Sequence, residues 1–229
     1  MSETRPHCLC KDHPAVSAAS PAGAGVRFRI ATLADAEALA SLHHLCSREQ
    51  PDGFLHLLGR PFLAAYYRIL LRNPSTLVVC ADSGEDGLVG LVSACLEVGE
   101  ELEALRRGRY RLLLAALPAI LRQPSLIAAV RLRMVSLRPG NAGEGFVVGH
   151  GPRLSFWGWS PCYPSAGLST QLFLEMLRKL KERSVSVVSL EVDRSNRKVE
   201  LIHRYMGARL VREFVTKDGR KRLVMEHHL

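Results

Sequence analysis

The stretch from 153 to 211 constrains the fold most, because a strand, a loop of small residues and a helix follow one another directly. The strand-like run 154–159 breaks at Ser160 and Pro161, and Ser, Pro, Ala and Gly dominate the loop that follows. From Leu168 onward, apolar residues recur every three or four positions, as on one face of a helix. A strand, a tight loop and a helix start together aim backbone N–H groups at an anion, typically a phosphate. The loop is neither a P-loop nor a Rossmann glycine motif.

A second block of elements follows this helix. The run VSVVSLEVD at 185–193 reads as a strand. The run SNRKVELIHRYMGARLV at 195–211 predicts a helix that ends at Gly207, followed by another strand.

Together, the two blocks resemble the signature of the GNAT acetyltransferases, which transfer an acetyl group from acetyl-CoA. That signature runs strand, V-D-P, x-x-[RQ]-x-x-G-x-[GA]-x-x-L, and later L-x-V and N-x-x-A-x-x-x-Y-x-x-x-G-F. Its first half aligns with WSPCYPSAGLS at 159–169, and its second half with Leu190, Val192 and Asn196. The resemblance is strongest over 153–215 and extends to 27–99.

Three positions depart from the signature. Pro164 stands where the family has Arg or Gln, Ser169 where it has Gly or Ala, and His203 where it has Tyr. Pro164 supplies neither a side-chain donor nor a charge, so we expect CoA affinity to be lower or a nearby arginine from 100–140 to compensate.

The resemblance implies a single α/β acetyltransferase domain over 26–229. We expect a GNAT-type mixed, mostly antiparallel sheet that is flanked by helices and opens near its middle, with an Arg-rich helical insertion at 100–145. Residues 1–25 are rich in Ala, Ser, Pro and Gly without periodicity, which predicts a disordered tail. The His and Cys residues of this tail match no common metal-ligand spacing, so no metal site is expected.

The first half of the domain is predicted from local signals. Arg27–Ile30 alternates like a strand, and Thr32 caps a helix in which His43 lies near the end, beside the acceptor slot of the family. Pro61 starts a second helix. Two further strands, Thr76–Ala81 and Leu88–Val98, form a hairpin.

The cofactor site follows from the resemblance. The carbonyl of the thioester is expected at backbone N–H groups of Trp157 to Trp159, with Gly158 as the bulge residue. The pyrophosphate is expected at the N–H groups of Ser165 to Thr170, and the pantetheine arm at Asn196, which also suits a helix N-cap. The expected cofactor-binding residues are Trp157, Trp159, Ser165, Ala166, Gly167, Leu168, Ser169, Thr170 and Asn196.

Two residues are expected to take part in catalysis. His203 occupies the position of the family tyrosine, and an imidazolium there would protonate the departing CoA thiolate. The alternative is a histidine on a buried helix face, bonded to a backbone carbonyl. Glu97, near the end of its strand, would be the general base, or else a solvated edge residue.

The net charge and the cysteines indicate which partners and which cellular compartment to expect. The net charge is +9, and residues 104–143 contain eight arginines and no acid. The basicity is therefore local, and no nucleic-acid partner is expected. Six cysteines without paired spacing predict reduced thiols, and no apolar run has the length of a membrane span or the form of a signal peptide. These features predict a cytoplasmic protein.

The Arg-rich insertion has several interpretations. Its residues 104–138 form a lid over the acceptor pocket, a homodimer contact, a peripheral contact with an anionic membrane, or an ordinary packed insert. We expect a lid in which Arg131 and Arg133 contact an anionic substrate.

The predicted function is acetyl transfer from acetyl-CoA to a primary amine of a small molecule, with an amino sugar as one acceptor class suggested by analogy alone. The alternative is a non-catalytic acyl-CoA-binding or membrane-surface protein on the same fold.

Overall fold

The computed structural model describes residues 25–47, 55–128, 130–131, 148–164, 167–216 and 219–229. The strands are β1 Arg27–Ile30, β2 Thr76–Asp82, β3 Leu88–Cys95, β4 Arg153–Trp159, β5 Val187–Asp193, β6 Arg209–Val215 and β7 Lys221–His228. The helices are α1 Ala36–Ser47, α2 Gly59–Leu70, α3 Val98–Arg107, α4 Arg109–Arg122, α5 Leu168–Lys181 and α6 Arg197–Tyr205, with short 3-10 turns at Leu33–Asp35 and Leu55–Leu58.

The seven strands of the described chain form one sheet in the order β1-β2-β3-β4-β5-β7-β6. Every neighbouring pair is antiparallel except β4 and β5, which are parallel and joined through the crossover helix α5. This parallel pair has only two residue pairs, Arg153 with Ser189 and Leu154 with Leu190. The sheet is therefore mixed, mostly antiparallel and nearly unpaired at its centre.

Strand alternation divides the core between the two faces of the sheet. On β2, Val78 and Cys80 belong to the cluster under α1, α2 and α4. Their neighbours Leu77 and Val79 belong to the cluster under α5. The two apolar clusters thus fix the register of β2, because a slip by one residue would exchange them.

Most predicted elements are present at the expected places. Strand β1 has the predicted bounds, Thr32 and Asp35 form the capping box, and α5 begins at Leu168. The second strand of the hairpin ends earlier than predicted, at Cys95. Glu97 consequently lies outside the strand, as the N-cap of α3.

The insertion between β3 and β4 packs beside α2. Helix α4 continues through Pro118, contacts α2 and the turn at Leu55–Leu58, and is followed by a helical turn at 126–128. Three predictions concern residues outside the described ones. They are the disordered tail, the role of Arg133 and, apart from its last four residues, the Gly-rich link at 139–151. No helix among the described residues is both long and apolar enough to cross a membrane.

The cysteines differ from the prediction at one position. Burial raises the pKa of Cys80 to about 11 and that of Cys95 to about 12, so both are inert core thiols near neutral pH. Cys162 is disulfide-bonded, so the prediction of six reduced cysteines is wrong there.

Candidate active site between strands β4 and β5

A cavity of about 450 Å³ lies where β4 and β5 diverge. Beyond Leu154 and Leu190 the two strands no longer pair, and side chains from both strands, from α5 and α6 and from β7 line the cavity between them. The residues that line the cavity include Ser155, Phe156, Trp157, Phe173, Glu191, Asp193, Asn196, His203, Arg220 and Arg222.

A β-bulge lies beside this opening, at a different residue from the predicted one. Phe156 pairs with Ser93 and Leu154 pairs with Ala94, which leaves Ser155 without a partner on β3. Gly158, the predicted bulge residue, pairs regularly with Leu91.

Close packing explains the glycine at 158 instead. A Cβ atom on Gly158 would lie 2.7 Å from the Phe156 ring and 3.1 Å from Cys46 of α1. Only a residue without a side chain lets α1 approach the strand at this point.

The backbone of β4 presents N–H groups to the opening. The N–H of Ser160 donates to Val89 on the β3 side, at 2.8 Å. Successive N–H groups of a strand point to alternate sides, so those of Trp157 and Trp159 point away from β3, toward the diverging β5. They are the two N–H groups of this strand segment that β5 would bond in a continuous sheet.

Aromatic side chains line the wall on both sides of the strand. The Trp157 ring packs against Phe173 with the ring centroids 4.8 Å apart, and its buried indole Nε1 has no hydrogen-bond partner in the described structure. Phe156 points the other way and stacks on His43 of α1, with centroids 3.8 Å apart. His43 is held by Tyr67 Oη at 2.8 Å from its Nδ1, and burial lowers the His43 pKa to about 3. His43 therefore supports the cavity wall as a neutral ring.

His203 projects from α6 into the cavity beside Trp157 and Phe173. It is buried, and its Nδ1 lies 3.2 Å from Nε2 of His227 on β7, so one of the two rings donates a hydrogen bond to the other. Burial, followed by the neighbouring His227, lowers the His203 pKa to about 4. The ring is therefore neutral near pH 7, and the imidazolium form expected from the sequence is not populated there.

One end of the cavity carries four charged side chains that the sequence interpretation did not include. Arg222 Nη1 donates to Glu191 Oε2 at 2.9 Å, and Arg220 lies 3.6 Å from Asp193. The alternation of Leu190, Glu191, Val192 and Asp193 on β5 places the two acids together on one face, which is a signal that the sequence contained. His227 was also missed, since it lies on β7, for which no strand was predicted.

The anion site predicted from the sequence falls at the start of α5, and part of it is described. Gly167 is the N-cap with a φ of 86°, a left-handed conformation that glycine adopts without strain. The N–H groups of Leu168, Ser169 and Thr170 begin the helix, and the first intrahelical bond to Gly167 comes from Gln171. Ser165 and Ala166 of the predicted loop lie outside the described residues.

Trp159 positions the chain that leads to this helix. Its indole Nε1 donates to the carbonyl of Tyr163 at 3.0 Å, and the two rings meet edge to face. A Cβ on Gly90 of β3 would lie 2.5 Å from the Trp159 ring, so this glycine makes room for it. The Trp159 side chain thus stabilises the segment before α5, whereas its backbone N–H faces the opening.

Asn196 caps α6 and lines the cavity at once. Its Oδ1 accepts from the N–H of Val199 at 3.3 Å, which leaves the amide NH₂ group for other contacts.

Glu97 lies outside the cavity lining. As the N-cap of α3, its carboxylate accepts from the N–H of Gly99 at 3.2 Å and from that of Gly151 at 3.1 Å. The carboxylate thus ties the end of β3 to the segment before β4. The carboxylate is therefore engaged as a helix cap and as a link between these two segments.

Comparison by sequence finds no relative: no protein-family model and no curated protein matches the chain. Solved structures do match. An acetyltransferase assigned to the GNAT family from Desulfovibrio desulfuricans aligns with a TM-score of 0.54 at 11% identity, over 89% of this chain and 98% of that one. The ribosomal-protein-alanine N-acetyltransferase of Brucella melitensis aligns with a TM-score of 0.54 at 17% identity, over 89% of this chain and 99% of that one. NAA60 of Arabidopsis thaliana in complex with acetyl-CoA aligns with a TM-score of 0.52 at 14% identity, over 89% of this chain and 98% of that one.

The chain therefore has the GNAT fold, which confirms the fold class predicted from the sequence. At these identities the likeness establishes the fold alone, because one fold hosts many functions.

Proposed function

We propose that the protein is an acetyl-CoA-dependent N-acetyltransferase that acts on a primary amine. The observation that carries the proposal is the opening between β4 and β5, which pair at two positions and then diverge around the cavity. Acetyl-CoA is the ligand of NAA60, a neighbour of the same fold. The donors at this opening fit such a ligand, since it carries amide, carbonyl and phosphate groups.

The proposed cofactor contacts are mainly backbone groups. The N–H groups of Trp157 and Trp159 take the place of strand pairing and bind the amide and carbonyl groups of the cofactor arm. The unpartnered Trp157 Nε1 is a further donor. The first N–H groups of α5, from Leu168 to Thr170, bind the pyrophosphate, assisted by the positive end of the helix dipole. Asn196 contacts the arm through its amide NH₂.

We assign His203 to the leaving thiolate. Acetyl-CoA supplies the acetyl group as a thioester, and negative charge develops on sulfur as the bond to the carbonyl breaks. Because the ring is neutral, it acts as a hydrogen-bond donor through Nε2–H, in the tautomer in which Nδ1 accepts from His227. A donor aimed at a developing charge stabilises the transition state more than the ground state.

The amine acceptor is proposed to enter from the charged end of the cavity. Both acids there are paired with arginine, Glu191 with Arg222 and Asp193 with Arg220, so this end carries polar groups of both signs. Such a lining suits a small polar amine, and an amino sugar is one member of that class. Glu97 and the cavity acids are the carboxylates to test as the base.

The decisive experiment is turnover. Purified protein is mixed with acetyl-CoA and a panel of amines, including amino sugars and peptide N-termini, and release of free thiol is followed. We expect amine-dependent thiol release with at least one member, and acetylated product by mass spectrometry. Tight CoA binding without thiol release on any amine of the panel would contradict the catalytic proposal.

That second outcome defines the alternative, a non-catalytic acyl-CoA-binding protein. One observation favours it: the acids that line the cavity are already paired with arginine, and Glu97 is engaged as a helix cap. An amine that arrives protonated would then find no ready base. Amines of low pKa, which are neutral at pH 7, discriminate the two functions because they need no base.

A further inference from the structure

Helix α4 presents an apolar stripe to solvent. Tyr110, Leu114, Leu117 and Leu121 are exposed by 66%, 67%, 46% and 79% respectively, although they are among its largest apolar side chains. Their spacing of four, three and four residues aligns them along one side of the helix. The opposite side, with Leu112 and Ala116, is buried against α2.

Arginines border this stripe, which we call the α4 stripe. Each residue turns an α-helix by about 100°, so Arg109 lies on one side of the stripe and Arg111 and Arg122 lie on the other. From 104 to 131 the sequence contains no acidic residue. The acid nearest in sequence, Glu103, is paired with arginines of α3. The α4 stripe is therefore bordered by three arginines and no acid, two at the start of the helix and one at its end.

A helix with a Leu/Tyr face that is bordered by arginines and no acid has the composition of an interfacial helix. The apolar face enters the boundary between headgroups and acyl chains, the tyrosine suits that boundary, and the arginines reach anionic headgroups. A protein partner would need an acidic rim around an apolar groove, whereas an anionic bilayer offers both without shape matching. Charge and geometry therefore favour the bilayer.

We propose that the α4 stripe docks this protein peripherally on anionic phospholipid membranes. This proposal does not depend on the acetyltransferase assignment, because no described residue of α3, α4 or the turn at 126–128 lines the cavity. It also differs from the lid expected from the sequence. The lid was expected of residues 104–138; those of them that are described do not line the cavity, and 132–138 lie outside the described part of the chain.

Vesicle co-sedimentation of the full chain tests the proposal. We use vesicles of phosphatidylcholine with phosphatidylglycerol, and vesicles of phosphatidylcholine alone. Wild type is expected to bind the anionic vesicles at least about tenfold more strongly, given the gain per basic residue at an anionic surface. The double variant Leu114→Glu/Leu121→Glu should lose at least about tenfold of that binding, since two apolar side chains no longer enter the bilayer.

The control changes two leucines on other helices that are about half exposed, less than Leu114 and Leu121. Leu174 and Leu201 are exposed by 51% and 50%, so Leu174→Glu/Leu201→Glu alters net charge by the same amount elsewhere on the surface. The control should sediment like wild type. Arg111→Gln/Arg122→Gln should bind anionic vesicles less and show a weaker dependence on salt.

Three results would overturn the proposal. They are absence of wild-type binding to anionic vesicles, equal binding by Leu114→Glu/Leu121→Glu, and an equal loss in the control variant. A lipid-free dimer that this variant converts to monomer, together with no vesicle binding by wild type, would assign the α4 stripe to a second copy of the chain.

Discussion

Replacement of Gly167 by aspartate tests the phosphate site most sharply. No atom lies within 4 Å of a Cβ built on this residue, so the new side chain has space and points into solvent at the start of α5. Its left-handed φ of 86° is a conformation that Asp and Asn tolerate better than other side chains. The variant therefore adds charge at the helix N-terminus without a clash, at the cost of backbone strain that an Asn at the same position shares.

The magnitude follows from distance and solvent. The new carboxylate would lie about one helical turn, roughly 5–6 Å, from an anion on the N–H groups of Leu168 to Thr170. In water-like surroundings each pair of unit charges at that distance costs about 0.7 kcal/mol. A pyrophosphate with two charges thus loses about 1.4 kcal/mol, which corresponds to a dissociation constant for CoA raised about tenfold.

Gly167→Asn is the matched control, because it has the same shape and backbone preference without the charge. Isothermal titration with CoA should show Asn close to wild type and Asp about tenfold weaker, and 0.5 M salt should shrink the difference. Equal affinities of the folded Asp and Asn proteins would refute a phosphate site at this helix.

Three other perturbations test the site and its surroundings. His203→Phe should lower kcat about tenfold or more with CoA affinity nearly unchanged, since a hydrogen bond to a charged group is worth roughly 1.5–3 kcal/mol, and His203→Tyr should retain more activity. Gly90→Ala should lower the free energy of unfolding by about 1–3 kcal/mol in urea titrations, because the added Cβ overlaps the Trp159 ring. The free energy of unfolding should also fall by about 2–3 kcal/mol between pH 6 and pH 5, because the pKa values of His203 and His43 are lowered to about 4 and 3.

The sign of the pH effect is set by the lowered pKa values. In the unfolded chain both histidines bind protons below about 6.5, whereas the folded protein keeps them neutral down to about 4. Stability is therefore complete above pH 7 and lost as the pH falls. A flat profile between pH 7 and pH 5 would contradict the buried neutral state. For the other two tests, the contrary results are a kcat within about twofold for His203→Phe and a Gly90→Ala protein as stable as a Gly99→Ala control.

Local signals in the sequence were enough to predict most helices and strands of the fold. The periodicity from Leu168 predicted the start of α5, and Thr32 with Asp35 predicted the capping box, because caps and helix faces depend on residues close in sequence. The end of β3 was predicted too late. Glu97 could be recognised as a helix cap only once α3 was known to follow it, since α3 contains Gly99 in its first turn.

The candidate site was predictable where it depends on the order of elements, and less so where it depends on packing. The opening at the centre of the sheet and the position of His203 on α6 followed from the resemblance. The bulge at Ser155 is a matter of register between β3 and β4, and the partner of His203 comes from β7, 24 residues further along the chain. The neutrality of His203 arises from burial, which a residue type alone does not reveal.

The brief contact between β4 and β5 has a mechanical consequence. Strands β1–β4 and strands β5–β7 form two parts of the sheet that share two residue pairs of backbone, and a common apolar cluster with α5 otherwise joins them. A ligand that is hydrogen-bonded to the backbone of both β4 and β5 would connect the two parts of the sheet as an inserted strand does. The rigidity of the whole sheet would then vary with occupancy. Amide hydrogen exchange at Trp157 and Trp159 would report that coupling directly.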